Sequence, residues 1–404
     1  MKRAAMVIIL CLAVAGCGSG INGDDIGIGR GAADPLSLLF VEHRDGDTQL
    51  YYRVGDDPAK QMTTGETDYF GDVHLSDDGS RIIFARSVDN EVGIYSMTPG
   101  DAGPTLIVYP VLLATSNRSH HSIDVVNEYD VTADGSAVVF VTTSTDGSAY
   151  SSGATEIHTI AFDGSGHQLL VDTGDEDDLV GLPQFSPDGE RIAYWRLGNN
   201  DRPSGLYVMD RDGRGVRMVA SSKEMNHEGF EYLSWSPDGR KIAVVNADQD
   251  ALYVVNVDGG GGAEEIIRTP ETEGFDYLGN PAFSPDGKWI AYHRSAMNAP
   301  GQVFTDPAQA LSGSSAEIFM IPVDGGAARQ VTDEGQQMEA ADDPVFTPDG
   351  STLVFVGGPM DPKTIDQQNP LKDFGIYRVA IDGSGVRKLH SGRADQFDIA
   401  LRTG

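Results

Sequence analysis

Cysteine is almost absent from this chain of 404 residues, which contains only Cys11 and Cys17. Two cysteines so close together cannot cross-link a domain, so the core must come from packed side chains. Two enzyme motifs are also missing, the G-x-S-x-G of serine hydrolases and the H-E-x-x-H of zinc peptidases. Basic residues are scarce, with 29 Lys and Arg against 61 Asp and Glu and a net charge of −32. This balance argues against a nucleic-acid partner.

What the chain has in abundance is one repeated unit, shown best by Asn280–Tyr292 (NPAFSPDGKWIAY). Two short apolar runs flank Pro285-Asp286-Gly287, and proline, aspartate and glycine are the residues that a tight β-turn prefers. The pattern predicts a β-hairpin. It occurs six times, with turn glycines 48 to 63 residues apart: Gly79, Gly135, Gly189, Gly239, Gly287 and Gly350.

Each hairpin is followed by a third apolar run, an Asp-Gly turn and a fourth run, as in Leu206–Met209 and the turn Asp212-Gly213. A repeating unit of four strands is typical of a propeller blade, because one small sheet buries its faces only against its neighbours. The sequence therefore predicts an all-β propeller.

The ends of the repeat region predict the number of blades. Ser37–Arg44, Gln49–Val54 and Lys60–Thr63 resemble second, third and fourth strands without a first, and Asp398–Leu401 resembles a first strand without its successors. We expect the last strand to pair with the earliest one, which removes the open edges of the ring. Six internal blades and one shared blade make seven, with six or eight as alternatives.

The N-terminus has the pattern of an export signal. Lys2 and Arg3 precede the apolar run Ala4–Ala13, which ends in Val14-Ala15-Gly16-Cys17, and this resembles a bacterial lipobox. The alternative is an ordinary secretory signal. We expect residues 1–17 to be the signal with lipid attachment at Cys17, residues 18–36 to be a flexible tether, and residues 37–404 to form the propeller. The expected location is the cell envelope, at the outer membrane facing the periplasm or at the cell surface.

Acidic residues concentrate in the seven links that lead from one blade to the next, which hold 20 acids and four bases. In a propeller these links share one face, so we expect an acidic mouth of the channel with aromatic residues among the acids. It would attract a protein or peptide partner, with a glycan as an alternative, and it needs no cofactor. The candidate partner-binding residues are Asp68, Glu128, Asp177, Glu228, Phe230, Glu231, Glu273, Phe275, Asp276 and Asp342. The alternative is that the aromatic residues pack between blades and the acids only keep the protein soluble.

The Ser-Pro-Asp-Gly turn, Ile-Ala-Tyr and Leu-Tyr-Val-Met-Asp in Phe185–Asp212 resemble the TolB-type, WD-like propeller repeat, and the resemblance extends over residues 37 to 401. It implies the fold but not one function, since this repeat occurs in translocation proteins, in peptidase-associated propellers and in sugar lyases. TolB has a separate N-terminal α/β domain, which this sequence does not show.

The resemblance also supplies an enzyme alternative. Oligogalacturonide lyases use a similar ring with a histidine-bound metal, which would implicate His74, His227 and His293 here. An acidic mouth would repel a polyuronate substrate, so the sequence favours a lipid-anchored binding protein without catalysis over a metal-dependent lyase or other glycan-active enzyme.

Overall fold

The computed structural model describes residues 36–401 except for 45–46, 56, 65–68, 89–90, 102, 109–119, 124–128, 146–153, 175–177, 199–201, 226–228, 259–261, 270–274, 298–314, 333–339, 359–374 and 392. In these ranges the chain forms 29 β-strands. None of the described residues belongs to a helix long and apolar enough to cross a membrane.

The strands form seven antiparallel blades, numbered here from the blade that contains both chain ends. Blade 1 consists of β29 (Arg393–Leu401), β1 (Leu36–Arg44), β2 (Asp47–Val54) and β3 (Lys60–Gln61). Blade 2 consists of β4 (Tyr69–Leu75), β5 (Ile82–Val88), β6 (Glu91–Met97) and β7 (Thr105–Val108). Blade 3 consists of β9 (Tyr129–Val131), β10 (Ala137–Thr145), β11 (Ala154–Ala161) and β12 (Gln168–Asp172). An additional strand of blade 3, β8 (His120–Ile123), pairs with the far end of β10.

Blades 4 to 7 follow the same order from the inner strand to the outer strand. Blade 4 consists of β13 (Leu179–Phe185), β14 (Arg191–Leu197), β15 (Gly205–Asp210) and β16 (Arg217–Ser221), and blade 5 of β17 (Phe230–Trp235), β18 (Lys241–Asn246), β19 (Ala251–Asn256) and β20 (Ala263–Arg268). Blade 6 consists of β21 (Phe275–Phe283), β22 (Trp289–Met297), β23 (Ser315–Pro322) and β24 (Arg329–Gln330), and blade 7 of β25 (Ala340–Phe346), β26 (Thr352–Gly358), β27 (Gly375–Ala380) and β28 (Arg387–Ser391).

Blade 1 confirms the expected closure of the ring. β29 pairs with β1 in antiparallel register, from Leu36 opposite Leu401 to His43 opposite Arg393. The apolar core supports a closed ring, because it divides into seven clusters and each cluster lies between two neighbouring blades. The cluster of Leu38 and Phe40 with Val354 and Ile376 joins blade 1 to blade 7. Seven interfaces around a ring require seven blades.

The repeated turn is stabilised by its own side chains. In blade 4 the Ser186 hydroxyl donates to Asp188 Oδ1 at 2.5 Å, and the backbone N–H of Arg191 donates to Ser186 Oγ at 3.0 Å. Gly189 has φ 69°, a conformation that glycine adopts without strain. The pattern Ser/Thr-x-Asp-Gly therefore specifies the turn by hydrogen bonding and by backbone geometry.

Two faces of the ring follow from this arrangement. The turn face carries the Ser/Thr-x-Asp-Gly turns and the turns between third and fourth strands. The link face carries the interblade links and the loops between second and third strands. Inner strands run from the link face to the turn face, so the residues at the start of each inner strand surround the channel mouth on the link face.

Candidate functional site

The inner strands begin earlier than the sequence predicts. Phe230 and Glu231 belong to β17, Phe275 and Asp276 to β21, and Asp342 to β25, although the sequence analysis placed these residues in links. Each of these strands has a β-bulge; in β17 it lies between Phe230 and Tyr232, and in β21 and β25 it lets the strand continue past a proline. The register shifts between Gly279 and Ala282 and between Asp342 and Val345.

The bulges place residues before proline in the left-handed region of backbone conformation. Leu182, Asn280 and Asp343 have φ of 50°, 45° and 51°, and each is followed by proline. This conformation is uncommon for residues other than glycine, and more so in front of proline. Three blades therefore have the same strained backbone at the rim of the channel.

Blades 6 and 7 use this geometry to assemble a polar cluster. Asn280 Nδ2 donates to Asp342 Oδ1 at 3.1 Å and also to Asp343, and the backbone N–H of Asp343 donates to Asp342 Oδ1 at 2.8 Å. His293 contacts the same Asp342 oxygen through Nδ1. We call Asn280, His293, Asp342 and Asp343 the rim cluster.

Gly279 provides the space that the histidine of the rim cluster occupies. A β-carbon at Gly279 would lie 2.3 Å from Cε1 and 2.8 Å from Nε2 of His293. His293 itself is only 7 % exposed. The ring therefore packs directly on the backbone of the neighbouring strand, and no larger residue fits at position 279 while it stays there.

The charges of the rim cluster act on each other and on Tyr232 of blade 5. Burial raises the pKa of Asp342, but the facing His293 and the hydrogen bonds outweigh it, so the pKa of Asp342 is lowered. Burial, followed by the charges of Asp342, Asp343 and Glu231, raises the pKa of the Tyr232 hydroxyl. Residues of blades 5, 6 and 7 thus form one negatively charged region at the link face.

The structure describes five of the ten predicted partner-binding residues. Glu231 is exposed and Asp342 is half-buried, as a surface site requires. Phe230 is 7 % exposed and lies in the core between blades 4 and 5, so it is a packing residue and not a surface contact, because its bulge turns it inward. Phe275 and Asp276 lie on β21. Asp68, Glu128, Asp177, Glu228 and Glu273 lie outside the described residues.

The two candidate metal-binding histidines that the structure describes lie in different blades. His293 is in blade 6, while His74 is on β4 of blade 2 and packs against the Tyr129 ring with centroids 4.9 Å apart. Burial lowers the pKa of His74 to about 4. His227 lies outside the described residues. Across the described ranges, no group of three His, Cys, Asp or Glu side chains is arranged to hold a metal ion.

Part of the acidity of the link face is neutralised internally. Asp178, the last acid of the link before β13, is buried and pairs with Arg196, and Arg202 approaches it at 3.4 Å. In blade 3 the buried Glu156 accepts a hydrogen bond from His158 at 3.2 Å, and His158 is bonded in turn to His167 at 3.0 Å. These buried acids of blades 3 and 4 therefore do not add free negative charge to the link face.

Sequence reasoning missed Gly279, Asn280 and Asp343, although a signal for them exists. Three tripeptides occupy equivalent places within three inner strands, namely Gly181-Leu182-Pro183, Gly279-Asn280-Pro281 and Asp342-Asp343-Pro344. The shared pattern is glycine or aspartate, then any residue, then proline. At this position in an inner strand, the pattern indicates a β-bulge at the rim of the channel.

Comparison with known proteins agrees with this fold. The family model described as the TolB beta propeller domain matches residues 132–396. A TolB homolog of Chlorobium luteolum is 30% identical over 172 residues, which cover 42% of this chain and 34% of that protein. An uncharacterized peptidase of Bacillus subtilis is 24% identical over 212 residues, covering 44% of this chain and 30% of that protein. The chain thus spans about a third of the length of these two relatives.

Two solved structures show the same fold at low identity. An oligogalacturonate lyase from Vibrio parahaemolyticus superimposes with a TM-score of 0.55 and 16% identity, over 85% of this chain and 86% of that one. A puromycin-hydrolyzing peptidase of Mycobacterium tuberculosis gives a TM-score of 0.57 and 15% identity, over 88% and 53%. At this identity the likeness concerns the fold alone.

Proposed function

The chain belongs to the TolB beta propeller domain family, and from this premise we propose that it is a lipid-anchored binding protein of the cell envelope. Its lipid is attached at Cys17, which becomes the first residue when residues 1–16 are removed, and residues 18–35 tether the ring to the membrane. The link face binds a partner that carries positive charge, such as a basic segment of an envelope protein. No cofactor takes part.

One observation carries this proposal: Glu231, Asp342 and Asp343 reach one region of the rim from two blades on either side of blade 6. All three charges act on Tyr232, and the only basic group in the rim cluster is His293. A lysine or arginine side chain of a partner would find carboxylates for its charge there and an aromatic ring for its aliphatic part.

The test uses fluorescent octalysine as the probe and two variants with equal changes in charge. In the link-face variant Glu228, Glu231 and Glu273 become Gln and Asp276 becomes Asn. In the turn-face control Glu190 becomes Gln, and Asp212, Asp258 and Asp324 become Asn. Each exposed ion pair is worth about 0.2–1 kcal/mol, so we expect roughly tenfold weaker binding for the link-face variant.

The salt dependence of octalysine binding distinguishes a local binding site from non-specific electrostatic attraction. The wild type and the control should lose affinity as salt rises, because exposed charges are screened beyond about 8–10 Å. The link-face variant should show a flatter dependence. Equal affinities for the two variants at every salt concentration would rule out the link face as the binding surface.

The second candidate function is a metal-dependent lyase, which the pairing of His293 with Asp342 at the channel favours. Metal analysis of the purified protein, compared with alanine variants of His74, His227 and His293, distinguishes the two functions. A stoichiometric metal that is lost in these variants would support the lyase and contradict the binding function proposed here.

A further inference from the structure

The ring is attached to the N-terminal segment at the turn face. The Leu36 carbonyl accepts a hydrogen bond from the N–H of Gly55, in the turn between the third and fourth strands of blade 1, at 2.8 Å. Ser37 Oγ lies 3.5 Å from the place of a β-carbon at Gly79, in the first turn of blade 2. From there β1 runs to Arg44, at the link face. The first described residue, Leu36, therefore lies at the turn face.

The two faces also differ in their basic residues. The interblade links contain four Lys and Arg residues. The turns and adjoining strand ends of the turn face contain many more: Arg81, Arg191, Arg211, Arg214, Arg217, Arg240, Lys241, Lys288, Arg329, Arg387 and Lys388.

Several acids of the turn face are paired with these bases. Arg191 contacts Asp258 at 3.1 Å, Lys241 contacts Asp324 at 3.0 Å, and Lys288 contacts Asp286 at 2.9 Å. The first two pairs join neighbouring blades. The turn face contains more acids than bases, but it is closer to charge balance than the interblade links, which hold 20 acids and four bases.

We propose that the ring stands on the membrane with its turn face toward the lipid headgroups and its acidic link face directed away. This inference rests on the lipid anchor at Cys17 that belongs to the proposed function. Residues 18–35 form a tether of 18 residues, whose root-mean-square span is about 25 Å if it behaves as a flexible glycine-rich chain. The attachment point keeps the turn face near the surface.

Electrostatics favours the same orientation. An anionic leaflet attracts Lys and Arg and repels Asp and Glu within a Debye length of its surface. Turning the ring over would bring the rim cluster and the acidic links toward the headgroups and would move the paired bases away. A basic partner therefore approaches the channel mouth from the side that faces away from the membrane.

Energy transfer to the membrane tests this orientation. The lipidated full chain is placed on vesicles of phosphatidylcholine with 30 % phosphatidylglycerol that carry an acceptor dye on their headgroups. A donor dye is attached in one variant at Lys288→Cys, on a side chain 74 % exposed at the turn face, and in the other at Glu231→Cys, exposed at the link face. Labelling is selective because the only other cysteine after the signal is the acylated Cys17.

We expect several-fold stronger transfer from position 288 than from position 231. The difference should become smaller on pure phosphatidylcholine but keep its sign, because the attachment point does not change. Equal transfer from both positions, or stronger transfer from position 231, would overturn the orientation.

Flotation of the same samples separates this inference from the function on which it rests. Wild type should float with the vesicles and Cys17→Ser should not. If wild type does not float, the anchor is wrong and the orientation is wrong with it. If it floats but both positions transfer equally, the anchor stands and only the orientation is refuted. Octalysine binding in detergent solution reports on the link face independently of both.

Discussion

Replacing Gly279 by alanine tests whether the glycine exists to accommodate His293. The added β-carbon would lie 2.3 Å from His293 Cε1, far inside van der Waals contact, and the ring is held by Asp342. Overpacking of this kind costs about 1–3 kcal/mol. Loss of the buried contact to Asp342 adds about 1–3 kcal/mol. We therefore expect Gly279→Ala to destabilise the protein by roughly 2 kcal/mol or more.

The same substitution should be harmless once the ring is gone. Gly279 does not have a positive φ, so alanine fits its backbone conformation. In a His293→Ala background, Gly279→Ala should cost less than about 0.5 kcal/mol, or stabilise the protein slightly by restricting the unfolded chain. The double-mutant cycle would then give a coupling energy of about 2 kcal/mol.

Urea unfolding followed by tryptophan fluorescence measures the four free energies, since the midpoint shifts with stability at constant slope. Gly103→Ala is the matched control, because nothing lies within 4 Å of its β-carbon position, and it should be neutral within about 0.5 kcal/mol. If Gly279→Ala costs the same with and without the imidazole, the reasoning about the rim cluster is refuted.

Three further predictions concern acid and the closure of the ring. Hydrogen bonds from Ser136 and Ser284 hold the pKa of Asp134 and Asp286 at about 2. The two carboxylates therefore stabilise the fold above about pH 4, and this stabilisation is lost as the pH falls toward 2. Over that range the urea midpoint should fall less in Asp286→Asn than in the wild type. Burial lowers the pKa of His74 to about 4, so the stability of the fold with a neutral His74 is lost as the pH falls from about 6.5 to 4. His74→Phe should flatten the dependence of the urea midpoint on pH in this range, and an unchanged dependence contradicts this. Ile399→Pro removes a backbone donor from the strand that pairs with β1, so limited proteolysis should cut near residue 36 at lower protease concentration than in wild type, and unchanged protection would contradict the closure.

The fold could be predicted because its signals are local and repeated. Each Ser/Thr-x-Asp-Gly turn is specified by its own side chains, and the missing first strand at one end matches the surplus strand at the other. The seven blades and the pairing of β29 with β1 follow from those two facts.

The rim cluster could be predicted only in part, because it depends on contacts between residues far apart in sequence. Asn280 meets Asp342 and Asp343 only through the packing of blade 6 against blade 7. The sequence left open whether Phe230 contacts a partner or packs between blades, and the bulge in β17 shows that it packs in the core. The acidity of the links was visible, but the neutralisation of Asp178 by Arg196 required the fold.

The pairing of the two chain ends in blade 1 has a consequence for biogenesis. β1 to β3 are among the earliest segments to be synthesised, yet the strand that joins blade 1 to the channel is completed only when residues 393–401 have been made. Until then β1 keeps a free edge, which is a template for misassociation. The contact spans almost the whole polypeptide, and contacts of such long range slow folding. The ring can therefore close only after residues 393–401 have been synthesised.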